Sequence, residues 1–182
     1  MRLFFGLSLP DEIRAEAARC ALDAQQTIPG RYSPMENYHI TLAFIGDVPE
    51  ERLPDAQAVL SETIARFPAP RITLDSPGHF GRAQNGILVL HAKAKPALEP
   101  LHDALVKNLN AAALPADPGP FSPHITLARH ADVTAGFPPA PAPLSFTADT
   151  AHVFLSARNE QGILVYTPIA GADFAPSDLH TP

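Results

Sequence analysis

Apolar positions along this chain fall into short runs and helical stripes that alternate, with proline or glycine at most junctions. Residues 2–9 (RLFFGLSL) form a short apolar run ended by Pro10, which predicts a buried strand. Pro10-Asp11-Glu12 then opens a helix, with proline in the first turn and acids beside the positive end of its dipole. The helix extends to Gln26, with Ile13, Ala17, Cys20 and Ala24 on one face, and Pro29-Gly30 breaks the pattern. Residues 39–45 (HITLAFI) predict a strand turned by Gly46-Asp47. A second helix is expected over 50–66, with Leu53, Ala56, Val59, Leu60 and Ile64 on one side. Strands over 71–74 and 86–93 flank a Gly- and Asn-rich connection. Leu98, Leu101, Leu105, Val106 and Leu109 place a third helix over 96–113, and 124–129 (HITLAR) is another strand. Residues 137–143 (FPPAPAP) suit neither an interior helix nor a central strand and read as a stiff surface loop. Two closing strands, 146–156 and 162–170, form a hairpin, with a loose tail expected after Phe174.

The order strand, helix, His-x-Thr strand occurs twice. Leu3 precedes His39 by 36 positions, and Ile87 precedes His124 by 37. Each opening strand runs into a proline (Pro10, Pro96) and a helix, and each His-x-Thr follows a Ser-Pro pair, Ser33-Pro34 or Ser122-Pro123. The expectation is a single domain over 1–182 made of two pseudo-repeat lobes, each contributing one His-bearing strand (39–42 and 124–127). A length of 182 residues accommodates that arrangement, and 46% hydrophobic residues support a packed core. No window approaches 18 consecutive apolar residues, so no membrane-spanning helix is expected. The single cysteine, Cys20, makes neither an intramolecular disulfide nor a zinc knuckle. With no signal-peptide pattern in the first residues, a cytoplasmic location is expected. The net charge of −6 argues against broad, backbone-driven binding to long nucleic acid, but leaves room for a local basic pocket.

The tetrapeptide His-Ile-Thr-Leu at 39–42 recurs at 124–127. Alternation along a strand puts His39 with Thr41, and His124 with Thr126, on one face, while Ile and Leu take the other. Two imidazoles with ordinary pKa values near ~6.5 can act as acid and base in one displacement at phosphorus. One activates the nucleophile, the other protonates the departing oxygen, and the threonine hydroxyls hold the non-bridging oxygens. Arg129 falls on the face of Leu127 and Ile125 in a regular strand, and reaches a phosphate only if the strand bends or ends there.

These residues resemble the two-histidine phosphoesterases, and within them the bacterial and archaeal RNA 2',3'-cyclic phosphodiesterases, also called 2'-5' RNA ligases. Arg2-Leu3-Phe4-Phe5 through Leu9-Pro10 looks like that family's opening strand. Ser33-Pro34-Met35-Glu36-Asn37-Tyr38 leading into His39–Leu42 and Phe44-Ile45-Gly46 resembles its first motif. Phe121-Ser122-Pro123 leading into His124–Leu127 and Ala128-Arg129 resembles the second, and Ser156 with Gly162, Tyr166 and Thr167 its closing hairpin. Tyr38 departs from the family's usual aliphatic residue and points to a change in the cleft wall; the absence of tryptophan is a second departure. The resemblance implies an α+β, bilobal fold, a pseudo-twofold pair of antiparallel-sheet lobes with helices outside and a central catalytic cleft. It implies metal-free, cofactor-free hydrolysis of RNA 2',3'-cyclic phosphate ends to 2'-phosphates, with reversible 2'-5' joining as a side activity; a monomer is expected. His39 corresponds to the proton donor, His124 to the proton acceptor, and Thr41, Thr126 and Arg129 to substrate-binding residues. The alternatives are a phosphodiesterase for small nucleotides, such as ADP-ribose cyclic phosphate or 2'-5' oligonucleotides, and a non-catalytic binder of RNA ends.

Other histidines read as structure. His102-Asp103 spells a metal-phosphohydrolase dipeptide but sits on an ordinary amphipathic stripe. His91 is an outward or packed strand residue, and His79-Phe80-Gly81 a loop or cleft wall. His130 is a solvated residue at a strand end, His152 and His180 have no evident partner, and Cys20 is a buried hydrophobe. No carboxylate or cysteine accompanies either motif at metal-ligand spacing.

Overall fold

In the computed structural model of the chain, the described residues are 1–117, 119–137, 139–140 and 144–176. Nine strands, β1 (Arg2–Ser8), β2 (Arg31–Tyr32), β3 (His39–Asp47), β4 (Arg71–Arg82), β5 (Asn85–Lys93), β6 (His124–Ala131), β7 (Ser145–Thr147), β8 (Thr150–Arg158) and β9 (Leu164–Asp173), make two antiparallel sheets among these residues. One sheet has the order β3-β1-β8-β9, the other β2-β6-β5-β4-β7. Three helices, α1 (Asp11–Gln25), α2 (Leu53–Ile64) and α3 (Lys95–Ala111), cover them. No helix among the described residues is long and apolar enough to cross a membrane.

β1 is a central strand of its sheet, and its apolar run divides between two faces. Leu3, Phe5 and Leu7 enter the core, whereas Phe4 and Gly6 sit beneath the opposite face. Gly6 is required there: a Cβ would lie 3.0 Å from the Ile40 carbonyl oxygen and 3.3 Å from the Phe154 ring. α1 buries the expected Ile13, Ala17, Cys20 and Ala24, and α3 buries Leu98, Leu101, Leu105 and Leu109. The helices cross between sheets. α1 leaves β1 yet packs on β6 of the other sheet, while α3 leaves β5 and packs on β3. Both halves therefore share one hydrophobic core.

Three sequence expectations are corrected. The strand predicted over 71–74 runs on to Arg82 and closes a tight hairpin with β5. Pro77 is tolerated because the register shifts between Leu74 and Pro77, so an extra β4 residue relieves the ladder at the proline. His79 and Phe80 consequently lie on a strand, not in a loop. The strand predicted over 146–156 is two strands in two sheets: β7 pairs with β4, and β8 pairs with β1 and β9. The chain turns at Ala148-Asp149, where the Ala148 amide donates to the Pro70 carbonyl at 3.0 Å and the Asp149 carbonyl accepts from Phe174 at 2.9 Å. Tyr38 is buried at 6% exposure and joins the core instead of the cleft wall, because it is one residue out of phase with His39. The loop expected at 137–143 and the tail after Phe174 lie largely outside the described residues, as does His180.

Candidate active site

β3 is an edge strand of one sheet, β6 pairs with β5 on one side and with only the two-residue β2 on the other, and β3 and β6 touch. Each carries the repeated tetrapeptide with the same pattern: His and Thr half-buried, Ile and Leu fully buried, then a buried alanine and an exposed residue. Both strands also bulge at the same place. β1 pairs Gly6 with Thr41 and Phe5 with Ala43, skipping Leu42; β5 pairs Val89 with Thr126 and Leu88 with Ala128, skipping Leu127. An extra residue reverses the alternation of everything that follows. The bulge at Leu127 thus carries Arg129 to the side of His124 and Thr126, the bend that a regular strand lacked. On β3 the same device turns Phe44 outward.

The cleft between the strands has a volume of ≈ 830 Å³, and His39, Thr41, His124, Thr126 and Arg129 all line it. The five residues singled out by the sequence are therefore brought together. Each imidazole is locked by its own strand. The Nδ1–H of His39 donates to the Asn37 carbonyl at 2.7 Å, and the Nδ1–H of His124 donates to the Ser122 carbonyl at 2.7 Å. A carbonyl can only accept, so both protons sit on Nδ1 and both Nε2 atoms are left to do chemistry. The Thr41 hydroxyl donates to Nε2 of neutral His39 at 3.0 Å.

The surroundings of the two rings differ. His39 lies among Phe4 (centroids 4.8 Å apart), Phe154 (5.6 Å) and Tyr166 (5.0 Å, edge-on). This enclosure lowers its pKa to about 4, mainly because burial penalises the cation; the Asn37 carbonyl opposes the shift, and the nearby His124 and Arg129 charges add to it. The ring of Phe80 meets His124 edge-on at 4.9 Å. Burial also lowers the His124 pKa, the Ser122 carbonyl resists, and the charges of His91 and Arg129 reinforce the decrease.

The supporting residue that the sequence reading left without a role is Asn37. It is 8% exposed, its Nδ2–H donates to the Leu164 carbonyl at 2.7 Å, and its Oδ1 accepts from the Tyr166 amide at 3.1 Å. One residue thus holds the His39 ring by its main chain and the start of β9 by its side chain. The available signal was a polar residue two places before each histidine, Asn37 and Ser122.

The remaining candidates separate cleanly. His91 is the cross-strand partner of His124, and its ring covers Gly78, where a Cβ would come within 2.5 Å of Nε2. His102 donates from Nδ1 to the Leu42 carbonyl at 2.7 Å and stacks on Phe121, tying α3 to β3. His152 faces the Ser8 hydroxyl at 3.3 Å, His130 pairs with the Asn85 side chain, and His79 rests near Phe137. Among the described residues, no group of three or more His, Cys, Asp or Glu is arranged to hold a metal.

Comparison with known proteins places the chain in a family. The chain is 34% identical over 146 residues to the RNA 2',3'-cyclic phosphodiesterase of Thermus thermophilus, covering 76% of this chain and 73% of that protein. It is 31% identical over 169 residues to the RNA 2',3'-cyclic phosphodiesterase of Escherichia coli, covering 92% and 93%. The crystal structure of Escherichia coli LigT complexed with 3'-AMP superposes with a TM-score of 0.82 at 28% identity, over 95% of this chain and 97% of that one. The family model of the 2'-5' RNA ligase superfamily matches residues 9–160, and the chain belongs to that superfamily.

Proposed function

We propose that this protein is a hydrolase that opens RNA 2',3'-cyclic phosphate ends to 2'-phosphates, with the two histidines as acid and base and no metal in the chemistry. The observation that carries the reading is the repeated lock of Nδ1 on a strand carbonyl, which aims two Nε2 atoms into one cleft. In this reading the chain works as one domain over 1–182, its two sheets acting as two lobes, and as a monomer in the cytoplasm. The relatives named RNA 2',3'-cyclic phosphodiesterase, and the LigT structures with 3'-AMP and with ATP, support a nucleotide-ended substrate.

The step is an in-line displacement. His124 Nε2 takes a proton from water as the water oxygen bonds to phosphorus. The bond from phosphorus to O3' breaks, and His39 Nε2–H delivers its proton to that oxygen. The products are a 2'-phosphate and a free 3'-hydroxyl; when the 5'-hydroxyl of a second RNA end takes the place of water, the same sequence forms a 2'-5' bond as the bond to O3' breaks, and its reversal cleaves that bond. Thr41, Thr126 and Arg129 hold the non-bridging oxygens, whose charge must be stabilised throughout. His39 is neutral in the empty site at neutral pH, since burial holds its pKa at about 4. The anionic phosphate raises the proton affinity of both rings, so proton uptake accompanies substrate binding.

The test is hydrolysis of a nucleoside 2',3'-cyclic phosphate, with and without EDTA, by the wild type and by His39→Ala and His124→Ala. General acid or base catalysis contributes roughly 10²–10⁴-fold, so each variant should lose at least about 100-fold. A loss under tenfold in either would sink the acid–base pair, and abolition by EDTA would point to a metal-dependent hydrolase.

A further inference from the structure

Beyond the two histidines, the same cleft holds more positive charge than one terminal phosphate requires. Its lining includes three guanidinium groups, Arg2, Arg129 and Arg158, against one carboxylate, Asp47, in a chain of net charge −6. Arg129 belongs with His124 and Thr126. Arg2 and Arg158 belong elsewhere: Arg2 pairs in register with Ser156 of β8, and Arg158 lies two residues beyond Ser156, on the same face. Both are exposed, and neither makes an ion pair among the described residues.

Their place relative to the chemistry follows from β1. Phe4 packs against the His39 ring at 4.8 Å, and Arg2 is the next residue on that face, roughly 7 Å further along the strand. Arg2 therefore stands about one nucleotide's length from the His39 end of the cleft floor, and Arg158, two residues past the cross-strand partner of Arg2, lies roughly 7 Å beyond it. Arg158 is pre-positioned, because one of its N–H groups donates to the Gly162 carbonyl at 2.5 Å across the β8–β9 turn and its other donors remain free. Asp47 is the cross-strand partner of Arg2 on β3 and makes no salt bridge with it. Two guanidiniums beside one carboxylate leave this end of the cleft cationic.

We infer that Arg2 and Arg158, with the Ser156 hydroxyl between them, form a second phosphate subsite that takes the phosphodiester on the 5' side of the terminal nucleotide. This rests on the cyclic-phosphate reading above and narrows it: the preferred substrate is an oligonucleotide, because a lone nucleoside 2',3'-cyclic phosphate leaves the subsite empty.

The experiment compares kcat/KM for a nucleoside 2',3'-cyclic phosphate and for a dinucleotide ending in the same cyclic phosphate. Wild type, Arg158→Ala, Arg158→Lys and the double variant Arg2→Ala/Arg158→Ala are assayed. The preference for the dinucleotide should fall by about threefold or more in Arg158→Ala and about tenfold in the double variant. Arg158→Lys should retain part of it, since charge survives without the fork. The wild-type salt slope for the dinucleotide should exceed that for the mononucleotide by about 0.7 per phosphate contact, and the excess should vanish in the double variant. A double variant with the wild-type preference and salt slope would overturn the subsite. Anisotropy of a labelled dinucleotide ending in a 2'-phosphate separates this result from failure of the hydrolase reading. Arginine-dependent binding without turnover of either substrate would sink the hydrolase and keep the subsite; binding indifferent to both arginines would sink the subsite.

Discussion

The strands bearing His39 and His124 share a tetrapeptide, a burial pattern, a bulge and an Nδ1 lock, yet they hold their imidazoles in different environments. His39 is walled in by three aromatic rings, its Nε2 is already engaged by Thr41, and the carbonyl that locks it belongs to a residue clamped to β9. His124 has Phe80 at its edge and His91 beside it, and its lock comes from Ser122, whose side chain makes no hydrogen bond in the described structure. The same four residues therefore fix direction, while the neighbouring strands fix proton affinity. Two groups of one type thereby become unequal through their surroundings.

The comparison breaks most visibly at the histidines, where either alanine variant should lose at least about 100-fold. The next largest effect separates the two locks. Asn37→Ala leaves the Leu164 carbonyl and the Tyr166 amide without partners, which should cost about 2–4 kcal/mol of stability in chemical denaturation. It should also lower kcat by about tenfold through the loosened His39 ring. Ser122→Ala should stay within about 0.5 kcal/mol of wild type, since only the main chain of Ser122 holds His124. Equal losses in the two variants would erase the distinction.

Proton affinity provides the third test. Both imidazoles bind protons less readily than in water, so the free protein carries one proton on the pair only below the ordinary histidine range. The bell-shaped profile of kcat/KM should accordingly be centred below about pH 6.5, and that of kcat, with phosphate bound, should lie at higher pH. Coincident profiles centred above 7 would contradict the burial argument. Stability follows the same sign. The folded pKa of His39 is depressed to about 4, so the stability that depends on neutral His39 is complete above about pH 6.5 and is lost as pH falls toward 4. His39→Gln should therefore lose less Tm than wild type between pH 7 and pH 5, which calorimetry can measure.

The smallest effect concerns the threonines. The Thr41 hydroxyl donates to neutral His39, so Thr41→Val should raise the His39 pKa slightly, as read by NMR titration of the ring. Thr126→Val should leave the His124 titration unchanged, because no such hydrogen bond joins Thr126 to His124 in the described structure. A shift of His124 matching that of His39 would show the two sites to be equivalent after all.

By itself the sequence determined a good deal of this protein. Apolar period set α1 and α3, the run from Arg2 to Ser8 set the buried β1, and alternation within His-Ile-Thr-Leu put each histidine and threonine on one face. These are local properties, written in spacings of two, three and four residues. Tertiary structure decided the rest. Arg129 reaches the cleft only because an extra residue at Leu127 reverses the alternation, and a bulge has no spacing signature of its own. The 71–82 strand survives Pro77 because its register shifts there, and the 146–156 segment breaks because its two ends find different sheets. The clamp from Asn37 to β9 joins residues 127 and 129 positions apart. The unequal environments of His39 and His124 arise from Phe4, Phe154, Tyr166 and Phe80, brought in from distant strands. Proton affinity depends on what excludes water from a group, and that is a property of the assembled cleft, which a tetrapeptide cannot encode.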